Sequence, residues 1–351
     1  MKKFIHSILT PMLFLLIGTS IYAGNPDRQG EAGAGELLFN PWARSAGIHT
    51  MNTSSIAGVE AMRLNVAGIG RISNKEVLIG NTRLYEGSTL QLNALGFVTK
   101  TGTNGALGIT LTSVDFGDIP ITTEDQPGGT GATFSPSFFN LGVGYSYTYD
   151  NKISVGILFR VISESLPTIS AFGMAIDAGV QYVSGEKDNF KLGISLRNIG
   201  SPMKFAGQGL GYQVDAPSTN GSDYTITIDQ RAENYELPSM LNIGLSYDFY
   251  FMDDIFLRGV GNFTSNAFSR DQIGVGAELF LFDKFALRGG YRYELDGGDI
   301  EQDNIYTGLS AGASIDVPIN KAGSSKFGVD YAYRATDPFR GTHNVAVRLS
   351  F

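Results

Sequence analysis

The side chains able to do chemistry in this chain are few and poorly spaced for it. The histidines are His6, His49 and His343, and there is no cysteine. Two widely separated histidines without a thiolate make a poor zinc site. Ser163-Glu164-Ser165 supplies hydroxyls and a carboxylate, but no nucleophile–base–orienter set is visible around it. Pro127-Gly-Gly-Thr-Gly131 is glycine-rich, yet it lacks the lysine and following helix of a phosphate-binding loop, so it reads as a plain loop. Asp115, Asp118, Glu124 and Asp125 carry the hard oxygens that calcium takes; a solvated acidic loop is the simpler reading. Trp42, the single tryptophan, reads as a packing anchor. Catalytic, metal-binding and cofactor-binding residues are therefore expected to be absent, and the chain does not read as an enzyme.

The elements that surround these residues are more informative. Lys2 and Lys3 precede a mostly apolar stretch, Phe4 to Ile21, and Tyr22-Ala23-Gly24 ends it with small residues. That is the layout of a secretory signal, here residues 1–23; an uncleaved anchor helix is the competing reading. Beyond it no apolar run approaches the ~20 residues that a membrane helix needs. The formal charge is −8, and more negative still once Lys2 and Lys3 are gone, which excludes a nucleic-acid partner. The absence of cysteine excludes disulfides, thiolate chemistry and a lipid-modified N-terminal cysteine. Charged residues make up only 17% of the chain, while 45 residues are glycine. Sparse charge, abundant glycine and aromatics, and no helical span together suit a membrane β-barrel.

Periodicity carries the same conclusion further. From about residue 75 the chain breaks into segments that alternate with period two. Leu141, Val143, Tyr145, Tyr147 and Tyr149 oppose Gly142, Gly144, Ser146 and Thr148. Val345, Val347, Leu349 and Phe351 oppose Ala346, Arg348 and Ser350. The polar faces carry mid-strand charges of both signs, Arg160, Arg197, Arg258, Arg288 and Arg292 with Asp177, Asp248, Glu278 and Asp330, a set able to pair across a lumen. Aromatics gather at segment ends, as in Tyr145–Tyr149 and Tyr247–Phe251, like an interfacial girdle. About 14 strands are expected, near 75–84, 88–100, 104–116, 137–149, 151–164, 171–184, 189–200, 237–250, 254–264, 271–282, 284–295, 303–317, 325–335 and 342–351, giving an even number. Long connections, 117–136 and 201–236, follow odd-numbered segments. Short ones, such as Asp150-Asn151 and Asp283, follow even-numbered ones. This parity predicts an integral outer-membrane protein with long loops extracellular and both termini periplasmic.

The predicted fold class is thus all-β, a transmembrane antiparallel barrel over residues 75–351. Residues 24–74 do not alternate. Their small residues and apolar anchors, with many lumen-facing glycines to make room, predict a plug inside the barrel packed through Phe39, Trp42 and Arg44. The competing reading is a flexible periplasmic arm.

Specific strings carry a resemblance. Gly33-Ala-Gly-Glu-Leu-Leu-Phe-Asn-Pro-Trp-Ala-Arg-Ser-Ala-Gly47, Asp115-Phe-Gly-Asp-Ile-Pro-Ile-Thr-Thr123, Phe159-Arg-Val-Ile-Ser-Glu-Ser165, Asp188-Asn-Phe-Lys-Leu-Gly-Ile-Ser-Leu-Arg-Asn-Ile-Gly200 and Met203-Lys-Phe205 resemble the PorV (LptO) family. These are outer-membrane proteins of the type IX secretion system of Bacteroidetes. More distantly the chain is similar to the FadL group of transporters. The early Asn-Pro-Ala-Gly motif of that group has a counterpart in Asn65-Val-Ala-Gly68, with Val66 replacing proline. The resemblance implies a fourteen-stranded FadL-like barrel without catalysis; no residues here would carry the lipopolysaccharide deacylation also suggested for the family. It implies partners as well: the SprA/Sov translocon, the C-terminal signal domains of secreted cargo, the PorU, PorQ and PorZ attachment complex, and outer-membrane lipid. On that reading the barrel carries cargo from translocon to attachment complex. The long loops would bind it through Ile119, Ile121, Phe134, Phe138 and Phe139, and through Met203, Phe205, Leu210, Tyr212 and Tyr224, with Asp223-Tyr-Thr-Ile-Thr-Ile-Asp229 adding a strand to a β-rich partner. The plainer role for these residues is closing the barrel mouth. The alternative function is a FadL-type transporter of hydrophobic small molecules. A diffusion porin is a third reading, and a folded plug would block it.

Overall fold

The computed structural model describes residues 24, 26–215, 224–295, 304–320 and 325–351. The expected signal segment, residues 1–23, lies outside them. Strands β1 (Lys75–Arg83), β2 (Gln91–Thr101), β3 (Gly105–Asp115), β6 (Ser137–Tyr149), β7 (Ile153–Ser165), β8 (Ser170–Ser184) and β9 (Phe190–Gly200) form one half of the wall. Strands β12 (Met240–Met252), β13 (Ile255–Asn266), β14 (Gln272–Leu281), β15 (Phe285–Glu294), β16 (Tyr306–Pro318), β17 (Lys326–Thr336) and β18 (Thr342–Ser350) form the other. Every neighbouring pair is antiparallel, and β1 pairs with β18 from Glu76↔Ser350 to Arg83↔His343, closing a 14-stranded barrel with no free edge. Two small hairpins stand in the long connections: β4 (Ile119–Pro120) with β5 (Thr133–Phe134), and β10 (Gly211–Asp215) with β11 (Thr225–Asp229).

The barrel is turned inside out relative to a soluble sandwich. Val143, Tyr145 and Tyr147 on β6, Val155, Ile157 and Phe159 on β7, and Phe172, Met174 and Ile176 on β8 are all exposed on the outer face. A contiguous apolar belt of this extent is untenable in water and natural in hydrocarbon. No helix among the described residues is long and apolar enough to cross a membrane. The strands make the crossing, and their closure satisfies the backbone groups that lipid cannot.

The packed core lies in the lumen. Short helical turns at Gly35–Leu38, Ala43–Ala46, Gly58–Glu60, Ala61–Leu64 and Val66–Gly70 run inside the barrel. Trp42, Val59, Met62, Leu64 and Ile69 of this segment are buried together with wall residues Leu78, Val98, Leu158 and Ala346. Asn65 donates to Val180 O and to Thr53 O, both at 3.0 Å, and its Oδ1 caps Ala67 N at 3.3 Å. The side chain opening the Asn65–Gly68 motif is therefore spent on fixing the segment to the wall. Gln181 donates to Ile56 O at 2.9 Å and Asn344 to Asn40 O at 2.8 Å. Two wall glycines are required by the approach. A Cβ on Gly193 would sit 2.4 Å from Thr53 O, and one on Gly156 would sit 2.7 Å from the Val66 carbonyl carbon.

The inward charges pair mainly along the wall rather than across the lumen, because the plug occupies the space between. Arg160 binds Asp177 through Nε (2.8 Å) and Nη2 (2.6 Å), and the same Nη2 reaches Met62 O of the plug at 2.9 Å. Arg258 Nε lies 2.6 Å from Asp248, Arg288 Nε 3.1 Å from Glu278, and Arg348 Nη2 2.6 Å from Asp316. Arg44 of the plug stands between Glu60 (3.2 Å), Glu76 (3.9 Å) and Asp330 (4.0 Å). Buried charges of this kind are tolerable only when matched.

Candidate functional site: a chamber above the plug

The barrel has two unlike ends. The connections 116–136 and 201–239 leave from one; residue 351, the start of β1 and the short turns at 150–152 and 253–254 lie at the other. At the long-loop end the plug stops short of the rim and leaves a chamber of about 420 Å³. Its floor is plug: Leu38, Phe39, His49, Met51, Arg63 and Leu64. Its sides come from strand ends, among them Arg197 of β9, Met240 and Asn242 of β12, and Asn262 and Thr264 of β13. Gln272 of β14, Arg292 and Glu294 of β15, Tyr306 of β16 and Arg334 of β17 complete the ring.

Two irregularities in the wall shape this chamber. The β8–β9 register shifts between Ile176 and Ala178, and Asn198 takes a positive φ of 57°. Arg197 and Asn198 are consequently both buried, where strict alternation would send one of them to lipid. The β16–β17 register shifts between Tyr306 and Ser310, and Gly308 has φ +93°. That shift keeps Tyr306 turned inward, edge-on to His49 with ring centres 5.6 Å apart. Bulges re-aim side chains in this way at the cost of one ladder position.

Aromatic rings and guanidinium groups meet in the chamber. Tyr85 lies 5.8 Å from Tyr306 and 6.5 Å from Phe39, centre to centre. The Arg334 guanidinium sits 4.5 Å above the Tyr306 ring. Glu294 is the carboxylate among the lining residues, and it accepts from Gln272 Nε2 and Asn304 Nδ2, each at 2.7 Å. His49 is buried with neither ring nitrogen hydrogen-bonded.

The residues singled out for partner binding are scattered by the fold. Ile119, Ile121, Tyr212 and Tyr224 are exposed on the long connections; Phe134 and Leu210 are half-buried. Phe138 corrects the sequence reading: it lies on β6, points inward and is 1% exposed, packed with Val114 and Ile162. Phe139, its neighbour, points outward from the same strand and faces the lipid belt rather than a loop. Met203 is a second correction. It is fully buried, bridged to Tyr235 by paired 2.9 Å backbone bonds, and packed against the bare face of Gly173. Phe205 is partly buried, its ring tilted against Tyr235 with centres 5.7 Å apart. The connection folds back into the mouth because its apolar residues find the lumen core there. The stretch expected to add a strand to a partner already pairs at Thr225–Asp229 with Gly211–Asp215 of its own chain; Asp223 lies outside the described residues. In the plug, Trp42 is buried, Phe39 half-buried, and Arg44 ion-paired.

The acidic loop shows no metal geometry. Among the described residues no three His, Asp or Glu side chains converge, and Asp115 Oδ1 accepts from Gly117 N at 2.9 Å.

No protein-family profile matches the chain, and no curated protein matches it by sequence. Neither comparison therefore supports membership of the PorV family. Solved structures do share the fold. The toluene transporter TodX of Pseudomonas putida aligns over 89% of this chain and 97% of its own, at 14% identity and a TM-score of 0.55. The CymD monoaromatic hydrocarbon channel aligns over 88% and 97%, at 14% identity and 0.56. A Pseudomonas aeruginosa FadL homologue aligns over 88% and 97%, at 11% identity and 0.50. These neighbours are channels and transporters, not enzymes. At such identities the likeness is one of fold, and the chain has the FadL-like outer-membrane barrel fold.

Proposed function

We propose that this protein is an outer-membrane transporter of the FadL kind, taking small, partly hydrophobic molecules into the chamber from the long-loop end. The carrying observation is the chamber itself, concave, walled by rings on one side and floored by a plug that a substrate must pass or displace. The fold shared with toluene and monoaromatic hydrocarbon channels supports the same reading. A folded plug speaks against a simple diffusion porin.

A second reading is favoured by a different observation. The β10–β11 hairpin exposes Tyr212, Tyr224, Ile226 and Ile228, and the β4–β5 connection exposes Ile119 and Ile121. Exposed apolar anchors on loops suit protein binding. Together with the PorV-like strings, they support a type IX carrier that holds cargo signal domains between translocon and attachment complex.

One gene deletion separates the two. Uptake of monoaromatic and long-chain hydrophobic compounds is measured beside secretion of proteins bearing type IX C-terminal domains. The transporter reading expects uptake to fall several-fold with secretion intact. Lost secretion with unchanged uptake would instead establish the carrier.

A further inference from the structure

Arginines on the wall come in two populations. Arg160, Arg258, Arg288 and Arg348 each reach a carboxylate within 3.1 Å. Arg63, Arg197 and Arg334, which line the chamber, make no such contact. Arg197 is 3% exposed, and its Nε and Nη2 have no hydrogen-bond partner; its Nη1 meets only the Met240 sulfur at 3.2 Å. Arg334 is 4% exposed, with Nε and Nη2 unpartnered. Arg63, 8% exposed, spends Nε on Phe39 O at 2.9 Å and leaves Nη1 without a partner. Arg292 lines the same space. The lining carboxylate, Glu294, is already engaged by two amides.

Buried guanidinium groups without anions are costly, and a sequence that pairs its other luminal arginines had the means to pair these. All of them line one cavity of about 420 Å³, wide enough for a ligand. A neutral hydrocarbon would desolvate them and return nothing. A planar carboxylate satisfies them, because a guanidinium fork matches its two oxygens. The rest of the ligand is defined by what surrounds the cations. Phe39, Tyr85 and Tyr306 offer ring faces and edges beside Arg334. Asn242, Asn262, Thr264 and Gln272 line the neighbouring stretch of wall, on β12 to β14. A long alkyl chain would lie against amides there, whereas a short ring system is covered by the aromatic residues alone.

We propose that the chamber is a carboxylate site for small aromatic acids, with Arg334 meeting the carboxylate and Tyr306 and Tyr85 covering the ring. This rests on the transporter reading and names its substrate class.

The test uses the purified full chain in detergent micelles and three probes, 2-naphthoate, the isosteric 2-naphthamide, and dodecanoate, with affinities read by calorimetry. 2-Naphthoate is expected to bind at least ten times more tightly than either of the others. Arg334→Gln is expected to weaken 2-naphthoate about tenfold while leaving 2-naphthamide unchanged, in line with the loss of one charge-assisted contact. Arg334→Lys should recover part of the loss. Each variant is first checked for the folded, heat-modifiable band of an intact barrel, and the probe comparison on the native chain tests the site even if Arg334→Gln fails to fold. Equal binding of naphthoate and naphthamide would overturn the carboxylate site and leave the transporter reading standing. Tighter binding of dodecanoate would overturn the aromatic assignment. No binding of any probe, with uptake unchanged in the deletion strain, would remove both.

Discussion

Replacing Asp177 by alanine is expected to destabilise the barrel more than any single surface change, by ~3–5 kcal/mol, the usual consequence of stripping one partner from a buried pair. Arg160 and Asp177 are each 3% exposed, and the guanidinium makes both of its ionic bonds to one carboxylate oxygen. The other oxygen accepts from Asn198 N at 2.7 Å, at the bulge beside the chamber. Removal thus leaves a buried cation unmatched and releases the backbone that turns Arg197 inward. It also frees Arg160 from the orientation that holds Met62 O of the plug. The measurement is the urea midpoint of unfolding in micelles, followed by loss of the heat-modifiable band. The double substitution Arg160→Leu with Asp177→Leu should return most of the loss, since a matched apolar pair removes the uncompensated charge. A single variant with an unchanged midpoint would show that the pair is solvated and the plug contact incidental.

The second large effect concerns the lumen. Gly193→Val places a side chain where Thr53 O and Ser54 Cα now stand, with even the first carbon 2.4 and 2.6 Å from them. These are plug backbone atoms, which cannot swing aside as a flexible side chain would. Either the plug leaves or the wall deforms, and at Gly193 the wall is laddered on both sides, to Gln181 of β8 and Gly244 of β12. The expected result is a displaced plug and an open lumen. An eight-stranded barrel is filled by its own side chains while 16–18 strands enclose water, so an emptied barrel of 14 strands should conduct about tenfold more than the native protein in a planar bilayer. Gly261→Val is the control, because a Cβ there meets nothing within 4 Å. Native-like conductance from the Gly193 variant would mean that the plug yields without leaving.

Much of this architecture was legible in the sequence because the wall strands alternate between lipid and lumen over most of their length, and a two-residue period is read without tertiary information. The expected segment 137–149 coincides with β6, and 189–200 differs from β9 by one residue. Segment 237–250 was set too early. Leu237 and Pro238 belong to the returning loop, where Leu237 is buried in the mouth and Pro238 O accepts from Asn198 Nδ2. The first strand of hairpin β10–β11 is too short to stand out, since Gly211–Asp215 offers only Tyr212 and Val214 as an apolar face. Arg197 and Arg292 were recognised as inward-facing charges. Alternation also turns Arg334 inward on β17, but only the pairing of β15, β16 and β17 brings it to the same height as Arg292. Arg63 had no such signal, because it arrives by the aperiodic path of the plug. Misplacing Phe138 and Met203 has a simple cause. Exposure was inferred from loop position, while the lumen supplied an apolar interior at the same height.

The central claim is a chamber open to the long-loop end and sealed from the other end by the plug. Because the chain contains no cysteine, single introduced thiols report on it without background. Gln272→Cys lies in the chamber wall, and Thr148→Cys lies inside the barrel near the opposite end, beside Ser154. A small, charged, membrane-impermeant methanethiosulfonate reagent is added to intact cells. The account predicts rapid modification of Gln272→Cys, slowed by 2-naphthoate, and no modification of Thr148→Cys until the outer membrane is permeabilised. Equal rates at both positions in intact cells would contradict it, since the lumen would then be a continuous channel and not a closed chamber.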